Sequence, residues 1–470
     1  MRSAAPAGHA TLLPPTRHGE TRIEPANPGT STGPVQPPGL VGRTTLLLQR
    51  SLPEGALVIG AALVAQGISA YAYLAIASRA LGPTAYSPLS ALWALIFVAA
   101  PGLFLPLEQE TGRALASRRV HGLGGRPVVL RAAGVGGALV VLLVVIAAAA
   151  QHPVTDRLFD GDGLLLVGLV VAIVCYAAYY LLRGTLAGNG RFGGYAVVLI
   201  VESVLRVGMV VALAVLAVHS AWVFSLGIGL PCAAAVALAL TRERGLAAPG
   251  PPAAWSDLSS GLGLLLAASL LAQVLSNIGV LAVKVIGTSD TAAAGRFLDN
   301  LIVARVPLFF FQAVQASLLP KLAAQAAAGH LHEFAAGLRR LLILLVAVVA
   351  VSVLGMLAVG PIIVRALFGA AYASGRVDLA LLAAGSEGMM LCYALAQGCI
   401  ALRAYGRMVW GWAAGVATVG VLLAVLPGVV RRAEIAFVAG VAVAVVVLGA
   451  VLAQRVRQGL HESDAAAVSP

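Results

Sequence analysis

Residues 79–119 read RALGPTAYSPLSALWALIFVAAPGLFLPLEQETGRALASRR. The stretch has the form of the end of one membrane helix, a short turn, a second membrane helix and a basic tail. Residues 284–321 say it again: KVIGTSDTAAAGRFLDNLIVARVPLFFFQAVQASLLPK. Arg79 pairs with Lys284, and Leu81-Gly82 with Ile286-Gly287. After a one-residue insertion Pro101 pairs with Pro307, Phe104 with Phe310, Gln109 with Gln315 and Thr111 with Ser317. A repeat this long sets the architecture before any local detail. In membrane proteins such repeats pack around a central site.

Composition sets the solvent. The chain is 60% hydrophobic and 11% charged, with a mean hydropathy of +0.94. A water-soluble domain of 470 residues needs far more charge on its surface. Apolar runs of about 20 residues recur, each long enough to cross a bilayer as a helix. The net charge of +12 therefore requires no nucleic acid, because the cations lie between apolar runs and set topology. Cys175, Cys232, Cys392 and Cys399 fall in or at the ends of apolar runs and form no CxxC, so they imply neither a disulfide framework nor zinc.

The spacing predicts an all-α polytopic membrane protein of about twelve transmembrane helices in two six-helix lobes. The spans expected in the first lobe (50–240) are 53–78, 89–107, 127–150, 163–182, 194–218 and 221–240. Those of the second (258–457) are 258–283, 297–319, 341–359, 379–402, 410–430 and 435–454. Residues 241–257 are a Pro-Gly linker. Residues 1–49 and 458–470 are expected to be disordered tails, the first lacking the apolar core of a signal peptide. The arginine bias places both termini in the cytoplasm, with Arg431 and Arg432 opposing it at the last loop. HPVTDRLF (152–159) after the third span matches PIIVRALF (361–368) after the ninth, and RGTLAGNGRFGGY (183–195) corresponds to QGCIALRAYGRM (397–408). Six is even, so the lobes share one orientation about a pseudo-two-fold axis along the membrane normal.

RALGPTAY with its proline-containing second helix resembles the first hairpin of the polysaccharide-biosynthesis flippases (O-antigen and teichoic acid type), within the multidrug/oligosaccharidyl-lipid/polysaccharide exporter superfamily. RGTLAGNGRFGGY and PIIVRALFGAAY resemble further segments of those flippases, so the likeness covers residues 52–457. The resemblance implies a V-shaped cleft lined by the first, second, seventh and eighth helices. It also implies alternating access, a polyprenyl-diphosphate-linked oligosaccharide as cargo, membrane lipids and glycan polymerases or glycosyltransferases as partners, and a monomer in the cytoplasmic membrane. The same superfamily includes lipid II and multidrug exporters. A non-transporting scaffold and a polytopic glycan-assembly enzyme are the readings from other classes.

Charge at membrane depth is costly and faces a cavity or a partner. Arg305, in the eighth span, suits a cargo phosphate or a buried carboxylate. Arg79 and Lys284 end matched cleft helices, and paired cations suit a diphosphate; snorkelling to the interface is the plainer reading. Arg296, Asn277, Gln273 and Gln312 complete the candidate binding set, although polar groups also glue helices together. Glu202 and Arg206 stand four apart and can clamp each other or form an ion-coupling site. Asp299, which by spacing can pair with Arg296, and Glu387 are further ion-coupling candidates. Pro101, Pro106 and Pro307 should kink matched helices. HLHE (330–333) is not a zinc motif, and neither GxxxxGK[ST] nor GxSxG occurs. No catalytic residue, metal or cofactor is therefore expected.

Overall fold

In a computed structural model the residues described are 56–253, 258, 261–287, 290–308, 311, 322, 324–326, 328–372 and 374–468, with side chains described from 58 to 460. The N-terminal tail lies outside them. They belong to one compact unit, Pro53–Pro470, and contain no strand.

The first two spans are not separated by a loop. A helix, α1, runs Ala56–Ala99 and bends once, at Gly82 (φ 74°, ψ 166°). Only glycine holds that backbone without strain, and Pro83 follows it. The second span therefore starts six residues earlier than expected from the sequence. It continues through a π-turn, Ala100–Phe104, into α2 (Leu105–Val120). Pro101 sits in the π-turn, where a lost backbone donor is accommodated by the wider winding.

The first half continues with α3 (Arg126–Ala149), short α4 (Gln151–Leu158), α5 (Gly163–Gly188), α6 (Phe192–Val215) and α7 (Ala221–Arg242). The second contains α8 (Leu262–Ile286), α9 (Ala293–Ala304), α10 (Leu331–Phe368), α11 (Arg376–Ala401), α12 (Tyr405–Val425) and α13 (Val430–Val468). Ten helices among the described residues are long and apolar enough to cross a bilayer, the first of them holding two spans. The eighth expected span, 297–319, is helical as α9 and then broken by a turn at Arg305; most of its remainder lies outside the described residues. PIIVRALF is the end of α10 rather than a loop. The last helix also exceeds its expected span, entering the tail expected to be disordered.

Packing explains which helices lie where. The third and ninth spans, α3 and α10, stand at the flanks with apolar side chains such as Val141 and Ile343 exposed to lipid. Close crossings use glycine. A Cβ on Gly184 of α5 would lie 2.6 Å from the Glu108 carbonyl of α2, and one on Gly415 of α12 would lie 2.8 Å from the Gly440 carbonyl of α13. The halves meet where α1 and the π-turn pack on α8 and where α9 packs on α1. Gly102 lets that contact close: its Cβ would stand 3.2 Å from the Leu270 Cα. The linker is strapped to the first half. Arg118 donates to the Pro251 carbonyl (2.6 Å), Asn189 to that of Leu246 (3.1 Å), and Arg191 pairs with Glu243 (2.6 Å).

Candidate functional site

The break at the end of α9 places one charge between the halves. Arg305 caps α9, two residues before Pro307, and its guanidinium turns to α8. It donates to the Asn277 Oδ1 (3.2 Å), the Ser276 hydroxyl (3.3 Å) and the Ser276 carbonyl. All three partners are neutral, and Nε has none. Tyr71 of α1, Tyr393 and Glu387 of α11 lie within its electrostatic reach. Ser276, Glu387 and Tyr71 all lie near the middle of their spans, so this polar group sits at mid-membrane. Glu387 is 0% exposed, and neither carboxylate oxygen has a hydrogen-bond partner. Gln273 lies one turn below Asn277 and accepts its side-chain amide on the backbone carbonyl (3.0 Å). Gln312 lies outside the described residues.

Glu202 and Arg206 form an ion pair inside the first half, with both side chains buried. Gln66 of α1 donates to Glu202 (3.1 Å) and to the Tyr179 hydroxyl (3.0 Å), and Arg206 donates to that of Tyr176 (2.9 Å). This network binds α1, α5 and α6 together.

Arg79 and Lys284 do not join Arg305. Arg79 is exposed at the Gly82 end and donates to the Ala366 carbonyl of α10. Lys284, at the same end, is 8% exposed and pairs with Asp160, which follows α4 (2.7 Å), while also donating to Ser87 (3.1 Å). Both sit a helix half-length from Arg305. Asp299 does not pair with Arg296. Arg296 is taken by Asp290, and Asp299, 0% exposed, accepts from the Tyr86 hydroxyl (2.8 Å). The helix spacing allowed the pair, but Asp299 faces α1 while Arg296 turns out toward solvent. Asn300 holds the Tyr372 carbonyl (3.3 Å) and the Ser374 hydroxyl (2.6 Å). The Tyr372 hydroxyl donates to the Ser78 carbonyl (2.6 Å). Burial pushes that phenol above its ordinary range, so it remains a donor. The Gly82 end is thus closed by contacts between the halves.

Sequence reasoning missed two groups, and left the partner of a third unread. Asp160 carried no signal, since its partner is 124 residues away. Arg183, read as a loop cation, lies inside α5; it pairs with buried Glu108 (3.2 Å), and its guanidinium stands over Tyr179, Tyr180 and Tyr195. A longer fourth span would have included it. Arg431, which argued against the topology of the last two helices, is held by Asp378 (2.7 Å), so its charge is answered locally.

No family model matches the chain. It is 29% identical over 415 residues to the uncharacterized protein Rv1510 of Mycobacterium tuberculosis, spanning 84% of this chain and 91% of that protein. It is 26% identical over 403 residues to the uncharacterized protein Mb3654 of Mycobacterium bovis, spanning 81% and 88%. Among solved structures it superposes on a multidrug resistance MATE family transporter of the MOP superfamily in an inward-facing conformation. The TM-score is 0.66 at 13% identity, over 86% of this chain and 99% of the other. A mutant of the Vibrio cholerae MATE transporter VcmN gives a TM-score of 0.61 at 12% identity over 87% and 97%. An outward-facing MATE structure gives 0.52 at 14% identity over 87% and 99%. The chain is therefore a multi-pass membrane protein with the fold of the MATE transporters, built as two six-helix lobes.

Proposed function

We propose that this chain is an alternating-access transporter that moves a polyprenyl-diphosphate-linked oligosaccharide across the cytoplasmic membrane, with Arg305 as the anchor for the diphosphate. The supporting observation is Arg305 itself: a cation at mid-membrane, between the halves, bonded only to neutral groups and with Nε unpartnered. A guanidinium in that condition can exchange its neutral partners for two phosphate oxygens in a fork. Arg79 and Lys284 have partners elsewhere and are not part of this anchor. The arginine bias puts the termini in the cytoplasm and the Gly82 end outside. In this reading the described state is closed outward, in keeping with the higher TM-score against an inward-facing structure. Polyprenyl tails stay in lipid while the glycan passes between the lobes. The membrane potential supplies about 2.3 kcal/mol per charge for each 100 mV.

A second reading rests on Glu387. A buried carboxylate without partners at the same depth suits a cationic amphiphile, and would make the protein a drug exporter. One experiment separates the two. Purified protein is reconstituted into vesicles carrying a fluorescent polyprenyl-diphosphate glycan in both leaflets, and the fraction open to an external lectin is followed. The flippase reading expects the inner-leaflet pool to become accessible, and Arg305→Ala to slow this at least about tenfold. No movement of the glycan, with efflux of a cationic dye in the same vesicles, sinks it in favour of the second.

A further inference from the structure

The repeat aligns two turns and two distal segments. Arg79 and Lys284 follow the first and seventh spans, and the matched stretches 152–159 and 361–368 follow the third and ninth. In the fold these elements cross. Arg79 of the first half reaches Ala366, within the second-half stretch. Lys284 of the second half reaches Asp160, next to the first-half stretch, with Nζ 2.8 Å and 2.7 Å from the two carboxylate oxygens. A pair of struts related by the pseudo-two-fold axis thus bridges one mouth of the molecule in opposite senses.

The struts are unequal. Lys284 is buried, holds a carboxylate, and is steadied by Ser87 of the second span. Arg79 is exposed and holds a neutral carbonyl. An exposed contact to a neutral group is worth little, whereas a partly buried ion pair loses more when one member is removed. Asp160 sits at φ 53°, a backbone shape that aspartate tolerates better than most residues. A cavity of about 330 Å³ lined by Asp156, Arg157, Asp160, Lys284 and Asp290 opens onto the bridge, so dissolved ions reach it.

We propose that the Lys284–Asp160 strut is the lock of this mouth, setting the balance between its closed and open states, and that the Arg79 strut aligns the mouth without setting that balance. The proposal rests on alternating access but on no particular cargo.

The test uses the full chain in lipid nanodiscs with no cargo present. Spin labels are placed at Leu164→Cys in the first half and Val377→Cys in the second, both half-exposed at this end, in a Cys175→Ala background with the three buried cysteines retained. Double electron–electron resonance reads the ratio of long to short distances. Lys284→Met and Asp160→Asn should each raise the ratio about tenfold. Arg79→Ala should leave it within about twofold. The reversed pair, Lys284→Asp with Asp160→Lys, should bring it back toward the native value. Raising salt from about 0.1 M to about 1 M should raise the native ratio and leave the Lys284→Met ratio alone. A ratio that responds to Arg79→Ala but not to Lys284→Met overturns the lock and leaves alternating access standing. A single short distance in every variant overturns both.

Discussion

Each half of the molecule carries an acid and a base near mid-membrane, and the two halves treat them differently. In the first half Glu202 and Arg206 stand one turn apart on α6 and close on each other, with Gln66, Tyr176 and Tyr179 around them. In the second half Arg305 ends α9 and Glu387 lies on α11; Arg305 bonds neutral groups of α8 and the carboxylate oxygens bond nothing. Charges on one rigid helix cannot be separated by helix motion, so the first pair is a fastening. Charges on different helices can be re-partnered if the helices move, so the second is suited to act on something that comes and goes.

That contrast can be broken most directly in the first half. Arg206→Ala leaves Glu202 buried without its cation, and should cost about 3–5 kcal/mol of stability. A large fall in thermal unfolding temperature in detergent is the expected result; an unchanged temperature would make the pair something other than a fastening. Next in size is Gly184→Val. Its new side chain meets the backbone of Glu108, and overpacking of that kind costs about 1–3 kcal/mol. The loss should show as unfolding with α2 and α5 parting, read by protease sensitivity near Arg183.

The second half should behave in the opposite manner. Arg305→Ala should leave the unfolding temperature within a few degrees, while binding of farnesyl diphosphate, measured by calorimetry, weakens by at least about tenfold, or about 1.4 kcal/mol. Arg305→Lys should recover only part of this, because it keeps the charge and loses the fork. The smallest effect belongs to Glu387→Gln. It removes a buried carboxylate with no hydrogen-bond partner and should leave stability unchanged or raise it by less than about 1 kcal/mol. A large destabilisation there would show that Glu387 has a structural partner after all.

What could be read without coordinates followed the range of the interaction. The spans were legible because hydropathy over one helix is a local property, and the two-lobe symmetry because Leu81-Gly82 recurs as Ile286-Gly287 within a longer repeat. Glu202 with Arg206 was legible because a spacing of four puts both on one face. Lys284 with Asp160 was not, because nothing local reports a contact between residues 124 apart. The repeat aligns Arg79 with Lys284; it could not say what each touches, and both bond groups away from mid-membrane. Span ends were the other loss. Hydropathy fades at Arg183, but cation–π contacts with three tyrosines and Glu108 carry the helix onward through it. The same error of length hid the absence of a loop between the first two spans.

That missing loop has a mechanical meaning. Gly82 joins the first two spans with a single bent residue, so no loop stands between the two arms to absorb a tilt of either. In the second half the corresponding helices are further apart along the chain: α8 ends at Ile286 and α9 begins at Ala293. Under the proposed rocking of the lobes, the first half would therefore transmit a tilt through Gly82 more directly than the second half could through its longer connection.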